Sequence, residues 1–136
     1  MLAIRFGFDP ALAHRIIAGC DMFLMPSLYE PCGLTQMYSL RYGTLPVVRA
    51  VGGLRDTVVD PDDGKGVGTG FRFERFEADG LAGAVRRAAA VFRDRAAWSA
   101  MMRAAMSQDF SWERSAGAYL DVFRRAVAAR RGSGRA

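Results

Sequence analysis

Met22-Phe23-Leu24-Met25-Pro26-Ser27-Leu28-Tyr29-Glu30-Pro31-Cys32-Gly33-Leu34-Thr35-Gln36 runs from an apolar stretch, through a loop, into a helix start. The apolar run 22–25, closed by Pro26, predicts a short strand buried on both faces, as in a parallel sheet. Gly33 lets a ligand approach the backbone closely. The free amides around Leu34 and Thr35 open the helix, and its dipole end favours an anion. Thr35 adds a hydroxyl, so a diphosphate fits there. Glu30 stands only a few residues upstream. A carboxylate near bound phosphate is repelled by it, so its place needs a reason, and accepting hydrogen bonds from sugar hydroxyls supplies one. An ordinary loop with a surface glutamate and a capping threonine fits the same residues.

Further elements follow on both sides. Residues 2–8 alternate weakly and predict the end of a short strand. Asp9-Pro10 is a helix start, Asp as N-cap and Pro at the first position, and Leu12, Ile16 and Gly19-Cys20 fit one buried face. The helix from Leu34 to Tyr42 closes at Gly43. Leu45-Pro46-Val47-Val48 predicts a second buried strand, with Pro46 near its start. Gly52-Gly53 turn into a short helix, 54–58. Asp60 to Thr69 is a loop rich in Asp and Gly, and Gly70-Phe71-Arg72-Phe73 is a last strand. Beyond residue 78 only helices are expected: 78–93, 95–106, and 112–130 with Ser111 as N-cap. Residues 132–136 read as a frayed tail. Strands alternating with helices give an α/β class, a Rossmann-like parallel sheet that ends in a helical segment. Ligands of such sheets bind beyond the C-terminal strand ends, at 27–35 and 50–53 in this chain.

Composition narrows the function classes. The 136 residues suffice for one modest domain, and 51% of them are hydrophobic. No apolar run approaches the roughly 20 residues that span a bilayer, so no membrane partner is expected. Met1 to Phe8 lacks a basic segment followed by a long apolar stretch, so no signal peptide is expected. Cys20 and Cys32 match no metal spacing and suit reduced thiols of a cytoplasmic protein; neither metal nor cofactor is expected. The net charge of +5 is almost all arginine, Lys65 being the only lysine. The arginines are scattered along helices without interleaved aromatics, which argues against nucleic acid as a partner.

Glu30-Pro31-Cys32-Gly33-Leu34-Thr35-Gln36, then Arg41-Tyr42-Gly43-Thr44-Leu45-Pro46-Val47-Val48-Arg49 and Gly52-Gly53-Leu54, resemble bacterial glycogen synthases and plant starch synthases. These are retaining glycosyltransferases of the GT-B fold. Ala13-His14-Arg15, Asp56-Thr57-Val58, Gly68-Thr69-Gly70-Phe71 and Asp109-Phe110-Ser111-Trp112 agree in order and spacing. Tyr38 stands where the wider retaining group often carries a second glutamate, a departure that glycogen synthases of the bacterial type share.

The resemblance implies transfer of glucose from ADP-glucose to the 4-hydroxyl at the end of an α-1,4-glucan, with retention. It implies that Glu30 is the catalytic-site carboxylate on the donor glucose. Cys32 and Gly33 line the glucose and phosphate region, and Leu34 and Thr35 hold the diphosphate. Phe8 takes the place of an adenine-stacking aromatic, keeping the ring of the usual Tyr without its phenol. Residues 1–110 are then part of the Rossmann-like, nucleotide-sugar-binding C-terminal domain, and 111–136 its last helix and a disordered tail. The family's other phosphate-neutralising groups, including basic residues, a Lys-Gly-Gly type loop and a histidine of the N-terminal domain, match nothing here. The expected partner is therefore that missing N-terminal domain, and the isolated chain is expected to be inactive. A non-catalytic nucleotide- or anion-binding module of the same fold is the alternative.

Other residues carry plainer expectations. His14 is a structural histidine, Cys20 is core, and Cys32 has no nearby base to make it a nucleophile. Arg49 and Arg55 are solvated surface residues or phosphate contacts. Trp98, Met101, Met102 and Met106 pack inside. Part of the last helix's apolar face is expected to be exposed.

Overall fold

A computed structural model describes residues 2–133. The element order is α1 (Pro10–Ala18), β1 (Met22–Met25), α2 (Thr35–Tyr42), β2 (Leu45–Arg49), α3 (Gly52–Thr57), a 3-10 turn (Pro61–Asp63), β3 (Phe71–Phe73), α4 (Ala78–Arg93), α5 (Arg95–Met106) and α6 (Trp112–Ser133). The three strands form one parallel sheet in the order β1-β2-β3. Met22 lies opposite Leu45, and Val47 opposite Phe71. The α/β class and the helical end therefore stand as expected.

Caps read from sequence hold. The Asp9 carboxylate accepts from the Leu12 amide at 3.0 Å, and Gly43 closes α2 in the left-handed region, φ +78°. The Ser111 hydroxyl accepts from the Arg114 amide at 3.3 Å at the head of α6. Pro46 sits in the central strand, where a missing donor ordinarily breaks a ladder. Here Leu45 donates to Asp21 on the β1 side, so residue 46 faces the β3 side. The β3 ladder begins one step later, at Val47–Phe71, so no bond is lost.

Alternation along β2 separates two apolar clusters. Leu45 and Val47 join Leu40, Phe71, Phe73, Ala84, Ala88, Trp98, Met101 and Ala105. Val48 faces Leu54 and Val58. The Trp98 ring stacks at 6.3 Å from that of Phe71, and Phe92 meets it edge-on at 5.0 Å. Trp98 and Met101 are thus packing residues, as expected; Met102 is partly buried against the same cluster and Met106 is exposed.

Four expectations are corrected. Residues 2–8 form no strand; Leu2, Ile4 and Phe6 are exposed, because alternation without a ladder partner does not make a strand. The buried residue of α1 is Ile17, while Ile16 is exposed, because α1 packs against α2 on the Ile17 side. Cys20 is exposed. The Thr44 hydroxyl bonds the carbonyls of Ile17 and Cys20, at 2.6 and 3.0 Å, so this turn is held by its backbone and the thiol is left outside. β1 is not buried on both faces: none of its residues is fully buried, and Leu24 is half exposed.

The 60–69 loop is tied down by charge. Arg72 makes a two-pronged pair with Asp63, at 2.6 and 2.7 Å. Arg87 reaches both carboxylate oxygens of Asp60, at 2.8 and 3.0 Å, and also Asp62. Burial pushes the Asp60 carboxyl up, but the Arg87 hydrogen bond, the Arg72 and Asp62 amides and the Arg87 charge outweigh it. The result lies below the ordinary aspartate value.

The last helix runs to Ser133, past the expected end at residue 130. Residues 134–136 of the expected tail lie outside the described residues. Tyr119, Leu120, Phe123 and Val127 are exposed along it, as expected of that face. Among the described residues no helix is long and apolar enough to cross a membrane, and no group of three or more metal-ligating side chains occurs.

Candidate active site

The loop from Pro26 to Leu34 lies at the C-terminal end of β1, where a parallel sheet places its ligands. Its conformation is imposed by the next crossover. A Cβ on Gly52 would lie 1.9 Å from the Glu30 carbonyl oxygen, and one on Gly53 would lie 2.0 Å from that of Cys32. The Gly53 amide also donates to Pro31, at 3.2 Å. Backbone therefore rests on backbone, and only glycine admits the approach.

Gln36 locks the same loop from the other side. It is fully buried. Its Nε2 donates to the carbonyls of Cys32 and Gly33, at 3.1 and 3.0 Å, and to the Thr57 hydroxyl at 3.2 Å. Thr57 in turn donates to the Gly53 carbonyl at 2.6 Å. Gln36, Thr57, Gly53, Pro31 and Cys32 thus form one closed circuit around the loop. Gly33 has φ +76°, and a Cβ there would collide with Gln36 Oε1 at 2.4 Å.

The head of α2 is left open. Its N-cap Leu34 offers no side-chain cap, and the first turn carries no acid. The first amides of a helix have no partner within it and carry partial positive charge. Thr35 is half-buried at this point, Glu30 is half-buried upstream, and Cys32 and Leu34 are exposed. These residues lie together in the segment that follows the C-terminal end of β1.

Phe8 arrives at the same end by topology. α1 leads into β1 and α2 leads into β2, so both helices start beside the C-terminal strand ends. The two are held side by side: the His14 ring lies 4.8 Å from that of Tyr38, and His14 Nδ1 lies 3.2 Å from the Tyr42 hydroxyl. Phe8 stands just ahead of α1 and is 96% exposed, so it has no packing task.

Arg49 is more engaged than a solvated surface residue. At the end of β2 it donates to the Leu28 carbonyl at 2.7 Å and to that of Glu74 at 3.2 Å, and it lies over the Phe76 ring. It straps the first half of the loop. Arg55 pairs with Glu74 at 2.8 Å on an exposed surface. The roles of Gln36, Gly52, Gly53 and Thr57 were not assigned from sequence. The signal present was a glutamine inside a helix start and a glycine pair after a buried strand.

Residues 5–102 match the family model of glycosyl transferases group 1. A glycogen synthase of Anaeromyxobacter sp. (strain K) is 61% identical over 123 residues, which is 90% of this chain and 26% of that one. A glycogen synthase of Koribacter versatilis is 52% identical over 124 residues. The solved catalytic domain of Starch Synthase IV from Arabidopsis thaliana, bound to ADP and acarbose, superposes with a TM-score of 0.80 at 40% identity. It is matched over 90% of this chain and 26% of that one. The chain thus spans about a quarter of the length of the relatives it matches.

Proposed function

The chain belongs to the group 1 glycosyl transferases, and on that premise we propose that it forms the donor side of a glucan synthase. The reaction is transfer of glucose from ADP-glucose to the end of an α-1,4-glucan with retention. The observation that carries this reading is the open head of α2 beside a loop fixed by Gly52, Gly53 and Gln36. The amides at Leu34 and Thr35, with the Thr35 hydroxyl, take the diphosphate. Glu30 takes the glucose hydroxyls, Cys32 and Gly33 line the sugar, and Phe8 stacks on the adenine.

In front-face retention the diphosphate departs on the face that the acceptor attacks. The oxygen it leaves with gains negative charge, which donors already aimed at it stabilise without reorganising. The α2 head supplies part of this. The remaining positive charge and the acceptor's other wall come from the rest of such an enzyme. Residues 1–110 are then part of a nucleotide-sugar-binding domain, and α6 leads out of it.

The test joins the chain to the remaining portion of the Anaeromyxobacter relative and measures glucose incorporation from ADP-glucose into glycogen. The expected result is transfer by the fusion, none by the chain alone, and loss in the fusion carrying Glu30→Gln. A correctly folded fusion without transfer, or transfer unaffected by Glu30→Gln, would contradict the proposal. Nucleotide binding with no transfer would leave the chain a nucleotide-binding module.

A further inference from the structure

Two helix heads meet at the donor end of the sheet. Phe8 stands just ahead of α1, and the open amides at Leu34 and Thr35 begin α2. The base and the diphosphate of one nucleotide are joined covalently. To hold both, the two heads must keep a fixed separation.

α1 is fastened at two points. At its tail the Thr44 hydroxyl bonds the carbonyls of Ile17 and Cys20, and Ile17 is buried. Nearer its head the half-buried His14 leans on α2. The His14 ring lies 4.8 Å from that of Tyr38 and meets that of Tyr42 edge-on at 6.0 Å. His14 Nδ1 and the Tyr42 hydroxyl are hydrogen-bonded at 3.2 Å. His14 lies about one turn into α1, and Tyr38 about one turn into α2. The contact thus sits close behind both heads. Ala11, Ala13, Arg15 and Ile16 are exposed and add little to it.

Magnitudes show what the second fastening does. A helix of nine residues is about 13 Å long. Fastened at the tail alone, a tilt of about 10° carries its head roughly 2 Å. A gap of about 0.5–1 Å already forfeits a quarter to a half of the dispersion attraction between two surfaces, so a ring stack at the head does not survive that tilt. We propose that His14 is a positioning residue for nucleotide binding: by bracing α1 on Tyr38 and Tyr42 it sets the distance from Phe8 to the head of α2. It rests on the donor reading and deepens it. His14 acts through Phe8, so its loss is felt only by ligands that engage both heads. A histidine that merely stabilised the fold would make no such distinction.

The test is calorimetric titration of the chain with ADP and, separately, with pyrophosphate, which engages the head of α2 alone. The unaltered chain binds both, ADP more tightly. Phe8→Ala lowers ADP affinity about tenfold, the upper end for an aromatic stack, and leaves pyrophosphate affinity unchanged. His14→Ala lowers ADP affinity about fivefold and also spares pyrophosphate. In the Phe8→Ala background it adds nothing, because both substitutions act on one contact. Tyr42→Phe removes a single hydroxyl and keeps the ring, and lowers ADP affinity about twofold with pyrophosphate unchanged.

Unchanged ADP affinity in a folded His14→Ala chain overturns the positioning role. So do an equal loss for pyrophosphate and ADP, and additive losses in the double variant. If His14→Ala does not fold, Tyr42→Phe decides, and unchanged ADP affinity there overturns the role. Binding of neither ligand by the unaltered chain defeats the donor reading and this role with it. Binding of both, with no selective loss in the variants, defeats this role alone.

Discussion

Gly53 and the Cys32 carbonyl stand so close that a single added methyl carbon would lie 2.0 Å from the oxygen. A buried contact between two main chains cannot be relieved by turning a side chain. Gly53→Ala is therefore expected to destabilise the chain by at least ~2 kcal/mol and to weaken ADP binding. Gly83, inside α4, has nothing within 4 Å of its added carbon. Gly83→Ala is expected to stabilise by about 0.5–1 kcal/mol through helix propensity. Urea denaturation of both variants checks the opposite signs.

Gln36→Met keeps the volume of a fully buried side chain and removes its donors. It leaves the Cys32 and Gly33 carbonyls without the amide that holds them. Each buried group left without a partner costs about 1–3 kcal/mol, so a loss of about 2 kcal/mol or more is expected. A near-native circular dichroism spectrum with weakened ADP binding would identify Gln36 as a positioning residue for the loop. Unchanged ADP binding would remove it from the site.

The Asp60–Arg87 pair makes stability fall in acid. The folded-state value of Asp60 lies below its ordinary value of 3.8. The contribution of the charged form is therefore complete above that ordinary value and is lost as pH falls through the lower folded one. Arg87→Met is expected to cost ~2 kcal/mol at pH 7 and to flatten the acid limb that lies below the ordinary aspartate value. The figure is below that of a fully buried pair because the Arg87 side chain is 38% exposed. Thermal melts across pH, with and without the substitution, check this.

Phe123 is 61% exposed on a helix whose neighbouring Leu120 and Val127 are also uncovered. Phe123→Glu is expected to change stability by less than ~0.5 kcal/mol and to reduce self-association at high concentration. Sedimentation velocity and a thermal melt together test it.

Much of the fold was legible because its signals are local. Asp9-Pro10, Gly43 and Ser111 mark helix ends by chemistry that acts within one turn, and all of them hold. The misreadings come from relations across the chain. Whether residues 2–8 pair, whether Cys20 is covered, and whether both faces of β1 are covered depend on what packs against them, which periodicity does not contain. The candidate donor loop was singled out by the resemblance of Glu30 to Gln36 to the synthase family, since a glycine and a threonine at a helix start fit an ordinary capped loop as well. The holding role of Gln36 was not legible, since its three acceptors include Thr57, 21 residues away. The Arg49 strap was not legible for the same reason: the carbonyls it bonds belong to segments before and after it.

The central claim is that the head of α2 receives a diphosphate while Glu30 serves the sugar. Calorimetric titration of the chain with ADP tests it most directly, alongside Thr35→Val and Glu30→Ala. The account predicts saturable ADP binding that falls about tenfold in Thr35→Val, the equivalent of one hydrogen bond to a charged group, and less in Glu30→Ala. No binding by a folded chain, or equal binding by Thr35→Val and the unaltered chain, would contradict it.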